Sequence, residues 1–79
     1  MTSITMYGIT NEDGNFLSGF NDRLGEKLER ISEPEFTDFE SGADKVLLFT
    51  TMRQVRQVRG ALELNHGIKT EGVPFYIGD

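Results

Sequence analysis

Cysteine is absent from these 79 residues, so neither a disulfide framework nor a thiolate metal site is there to staple a small domain. No apolar run approaches the ~20 residues needed to span a bilayer. The first residues lack the basic-then-apolar layout of a secretory signal. Basic residues are few, eight Lys and Arg against thirteen Asp and Glu, for a net charge of −5. Phosphate binding needs clustered Lys and Arg, so nucleic acid is not expected as the main partner. Neither the Rossmann glycine pattern nor a Walker sequence follows a strand, and Gly14, Gly19, Gly25 and Gly42 read as turn glycines. The expectation is a soluble protein of a reducing, cytoplasmic compartment, with no membrane partner and no cofactor.

What is present favours folding. Hydrophobic residues make up 37%, and six Phe with two Tyr supply bulky core material. The length suits one small domain over 1–79, near the lower limit for a self-sufficient core. Charge is uneven: residues 11–44 hold ten acids against three bases, whereas 45–79 hold five bases against three acids. An acidic segment of this kind is compatible with docking on a basic surface, including one that normally holds nucleic acid. Its ordinary reading is solvated acid.

Ile4–Thr10 is β-rich, and Asp13-Gly14 within Asn11–Asn15 signals a hairpin returning through Phe16–Phe20. A three-residue loop puts Ile9 opposite Leu17; a two-residue loop puts it opposite Ser18, exchanging the faces. Asn21–Ile31 has Leu24, Leu28 and Ile31 at helical spacing and a Glu26–Arg30 pair, but Gly25 weakens a helix. A short helix and an extended excursion of the hairpin both remain open there. Glu35–Phe39 alternates like a short strand after Pro34, and Ser41-Gly42 marks a turn.

Val46–Phe49 is a continuous apolar run, as expected of a central strand buried on both faces. Thr50 or Thr51 then caps a helix whose Met52, Val55, Val58 and Leu62 share one side, and Gly67 ends it. Val73–Ile77 reads as a strand whose Pro74 prefers an edge or a strand start. A strand–helix–strand crossover normally pairs its strands in parallel. The expected fold is α+β: a small mixed sheet of four or five strands, an N-terminal hairpin and one main helix on one face.

Tyr7-Gly8-Ile9, Asp13-Gly14, Phe16-Leu17-Ser18-Gly19-Phe20 and Leu48-Phe49-Thr50-Thr51 leading into a helix resemble small accessory proteins of tailed phages, in which a glycine-turn hairpin precedes a strand and a single helix. The resemblance covers about half the chain, and its motifs are structural. It implies a phage accessory product located in the host cytoplasm, a class that binds and disables host proteins such as defence nucleases. It carries over no catalytic residue.

The candidate chemistry is sparse. His66, the single histidine, suits the C-terminal end of the helix, where exposed carbonyls favour a cation. No nucleophile or acid–base partner is nominated for it, so no catalytic residue is expected. Glu33, Glu35, Asp38 and Glu40 lack the glycine and terminal glutamate of an EF-hand loop, and no metal site is expected. Arg53, Arg56 and Arg59 form a stripe along the helix, with Glu63 placed to pair with Arg59. Their ordinary reading is a rim whose stems cover the core. As partner-binding candidates, Glu33, Glu35, Asp38, Glu40, Arg53, Arg56 and Arg59 stand out. The resulting expectation is a non-enzymatic inhibitor of a host protein, in its sharpest form an antagonist of a CRISPR or other nucleic-acid-targeting defence complex. The alternative is a structural or assembly subunit, a homodimer formed through the strand edge at Glu35–Phe39 or Val73–Ile77.

Overall fold

The computed structural model describes residues 3–78. In chain order these form β1 (Ile4–Asn11), β2 (Phe16–Leu24), β3 (Arg30–Thr37), α1 (Phe39–Gly42), a 3₁₀ turn (Ala43–Lys45), α2 (Met52–His66) and β4 (Thr70–Ile77). The strands make a four-stranded sheet in the order β3-β2-β1-β4. The α+β class, the N-terminal hairpin and a main helix packed on one face are as expected, with α2 lying across β1 and β4.

The first hairpin turns on Gly14, whose φ of 81° needs a residue without a Cβ. Thr10 pairs with Phe16, the register of the three-residue loop. Ile9 and Leu17 are consequently both fully buried. They form the core with Val55 and Leu62 from α2, and Tyr7, Phe36, Leu47, Phe49 and Val58 pack around them. Met52, expected on the buried side, is 39% exposed at the first turn of the helix. Gly72 lets α2 approach β4, since a Cβ there would lie 3.0 Å from Val55 Cγ1.

Thr51 caps α2, its hydroxyl accepting from Gln54 N–H at 3.2 Å. At the other end Gly67 takes the left-handed conformation (φ 67°) and donates to the Glu63 carbonyl at 2.9 Å.

Val46–Phe49 departs from expectation. It is not a strand of the sheet but a short wedge between β1 and β2. Tyr7 and Phe49 exchange both backbone hydrogen bonds at 2.8 Å in an antiparallel bridge, and Leu47 N–H donates to the Leu17 carbonyl at 2.9 Å. The 3₁₀ turn before it and the helix cap after it leave too few residues for a ladder. Every neighbouring pair in the sheet is antiparallel, so the sheet is not mixed. The crossover through α2 carries the chain from one side of β1 to the other, and the parallel partner expected for β4 is therefore separated from it by β1.

Asn21–Ile31 resolves as extended structure. β2 runs on to Leu24 and β3 starts at Arg30, so this segment is a hairpin arm and not a helix. Residues 20–24 and 26–30 are exposed. The expected Glu35–Phe39 strand is shifted: β3 ends at Thr37 and Phe39 opens α1, with Ser41-Gly42 inside that helix.

Candidate protein-binding face

Because Ile9 points into the core, its neighbour Gly8 lies on the sheet face opposite α2. Three phenylalanines from three elements meet over it. Phe16 of β2 lies 5.4 Å from Phe39 of α1 and 5.5 Å from Phe75 of β4, both tilted. Phe39 and Phe75 stack at 5.7 Å with 14° between their planes. Gly8 makes room for them: a Cβ there would stand 2.8 Å from Phe75 Cε2. Phe39 stays 47% exposed, so the cluster presents an open aromatic surface.

α1 holds Phe39 in place. Asp38 caps it, its carboxylate accepting from Ser41 N–H at 2.7 Å and from the Ser41 hydroxyl. Those two bonds, the hydroxyl first, hold the Asp38 pKa below the usual aspartate range. Gly42 is buried against Thr37, whose side chain a Cβ would strike.

The acidic candidates divide. In β3 Phe36 packs on the core, so Glu33, Glu35 and Thr37 point to the aromatic side. Glu33 is joined to Arg23 of β2 at 2.6 Å. Glu35 is exposed, as is Glu40 on α1. Asp38 is a capping residue first. Glu35 thus shares the aromatic side of the sheet, Asp38 and Glu40 flank Phe39 in the chain, and Glu33 lies further out along the arm, opposite Asn21.

Arg53, Arg56 and Arg59 belong to the helical layer and do not join this face. Arg53 and Arg56 are exposed. Arg59 bonds the Thr70 carbonyl through Nε at 3.1 Å and Nη2 at 2.7 Å, and this contact replaces the expected pair with Glu63. Arg56 and Arg59 line a cleft of about 630 Å³ with Lys69, Glu12, Glu63 and Glu71, whose signs alternate and favour no simple anion. His66 is the last residue of α2 and lines a smaller groove.

Among the described residues no His, Cys, Asp or Glu cluster is arranged to hold a metal ion, and no helix is long and apolar enough to cross a membrane. The aromatic cluster was invisible in the sequence, where Phe16, Phe39 and Phe75 are far apart. The one local hint was Gly8, a glycine inside a β-rich run. Compared with known proteins, the chain matches no family model, no curated sequence and no solved structure.

Proposed function

We propose that this protein is a non-enzymatic binder of the phage accessory type, which disables a host protein by laying its aromatic, acid-bordered sheet face on a basic and partly apolar surface. A nucleic-acid-targeting defence complex, CRISPR effectors included, offers such a surface where it holds its nucleic acid. One observation carries the reading: Phe39 stacks on Phe75 yet stays 47% exposed, on a face that the main helix leaves open and that Glu35 shares. Exposed aromatics beside rim charges are the usual make-up of a protein-docking surface.

Self-association through a strand edge is the poorer fit. Both backbone hydrogen-bonding groups of Tyr7 face Phe49, so in the antiparallel pair Tyr7–Pro74 those of Pro74 face outward. Proline has no N–H to offer there, which interrupts the β4 edge. Pro34 likewise sits in the other edge strand, β3.

The test is affinity capture from a bacterial lysate, followed by association kinetics with the captured protein. Phe39→Ser should raise the dissociation rate. Glu35→Gln with Glu40→Gln should slow association and flatten its fall with added salt, since rim charges act on encounter. Arg53→Gln with Arg56→Gln should change little. Sensitivity to the arginines but not to Phe39 or the carboxylates would put the docking surface on the helical layer and end this reading.

A further inference from the structure

The two hairpins close on one hydrogen-bonding scheme. In the first, Asn11 N–H donates to the Asn15 carbonyl at 2.9 Å and Gly14 N–H to the Asn11 carbonyl at 3.1 Å. In the second, Gly25 N–H donates to the Glu29 carbonyl at 2.8 Å and Leu28 N–H to the Gly25 carbonyl at 3.0 Å. The fourth position of each turn is left-handed, with φ of 81° at Gly14 and 62° at Leu28. The first turn uses the residue that this geometry favours. The second uses leucine, the one non-glycine residue with positive φ among those described. Leu28 gains no burial in exchange, being 78% exposed, and Leu24 at the end of β2 is 68% exposed. A strained backbone that carries an exposed apolar side chain points to a contact made outside the fold.

The same molecule holds a matching socket. A groove of about 410 Å³ lies between the arm and the C-terminal part of α2, with Phe20, Ala61 and Leu62 as its apolar lining and Arg30 and Ser32 along its arm side. Phe20 and Leu24 are four residues apart on β2 and so share a face. We infer that two copies of the chain pair by reciprocal exchange of arm tips, Leu24 and Leu28 of each seating in the groove of the other. Laid antiparallel about a two-fold axis, the arms overlap along about 13 Å, the rise of the four residues from Phe20 to Leu24, so that each tip meets the opposite groove. Glu26 and Glu29 on the tip then approach the Arg30 guanidinium at the rim. A lipid surface is a worse occupant: Asp22, Glu26 and Glu29 offset Arg23, Lys27 and Arg30, leaving no basic collar. The pairing does not depend on the host-binding reading, because the aromatic face lies on the other side of the sheet.

Sedimentation equilibrium of the full chain over about a hundredfold range of concentration tests this. The wild type should dimerise. Leu28→Gly, Leu24→Ser and Ala61→Glu should each weaken the dimer at least about tenfold. Leu64→Ser, which removes an exposed leucine outside both tip and groove, should leave it unchanged. Leu28→Gly should also melt no lower than the wild type at dilutions where both are monomers, because glycine relieves the left-handed backbone. A monomeric wild type overturns the inference, as does a dimer indifferent to Leu28→Gly or to Ala61→Glu.

Discussion

Arg59 fastens the middle of α2 to the first residue of β4, giving two hydrogen bonds to the carbonyl of Thr70, at 3.1 and 2.7 Å. Thr70 is only 9% exposed, so the two bonds go to an acceptor at a sheltered position. An arginine that looks like part of a surface stripe is therefore a structural tie.

Arg59→Gln should accordingly destabilise the fold by about 1–3 kcal/mol, the range for a charged donor lost from a sheltered acceptor. Arg56→Gln, one turn earlier and exposed, should fall within about 0.5 kcal/mol of the wild type. Urea denaturation of both variants checks the contrast; equal stabilities would mean that the Thr70 contact contributes nothing.

Gly14 should resist substitution although nothing crowds it. A Cβ there would meet no atom within 4 Å, so the penalty is purely one of backbone conformation. Gly14→Val should cost more than about 1 kcal/mol, because a β-branched residue is strained at positive φ, and Gly14→Asn should cost less. Thermal melts of the two variants give the order, and valine matching asparagine would refute the turn geometry.

Asp38 supplies a pH signature. Its bonds from Ser41 lower its pKa in the folded chain relative to the unfolded one. Stabilisation from such a group is fully present above the unfolded aspartate value of about 3.9 and is lost as pH falls through the folded value. The carboxyl resonance of Asp38 should therefore titrate below the ordinary aspartate midpoint, and Ser41→Ala should move it back up. The melting-temperature difference between wild type and Ser41→Ala should hold steady between about pH 5 and 7 and shrink only in stronger acid. A carboxyl midpoint unchanged by Ser41→Ala would disprove the hydroxyl's bond to the capping carboxylate.

Features that depend on a few neighbouring residues were open to reading from the sequence. Asp13-Gly14 marks a turn wherever a hairpin places it, because only the local φ matters. Thr51 and Gly67 bound α2 for the same reason, through bonds to backbone groups three or four residues away. Pro74 announces an edge strand because it lacks a donor.

The arm, the wedge and the aromatic face were decided by long-range pairing. Leu24, Leu28 and Ile31 have helical spacing, yet Asn21, Asp22, Arg23 and Leu24 find cross-strand partners in Glu33, Ser32, Ile31 and Arg30, and this ladder prevails over a weak local helix preference. Val46–Phe49 has the composition of a central strand. Its fate depends on β1 and β2 pairing at Thr10 and Phe16 and admitting Leu47 and Phe49 between them further along, a geometry no local pattern encodes. Phe16, Phe39 and Phe75 become neighbours only because β2, α1 and β4 converge over Gly8. Local backbone preference and capping are carried by residues adjacent in the chain. Which face a side chain occupies depends on strand register, set by partners tens of residues away.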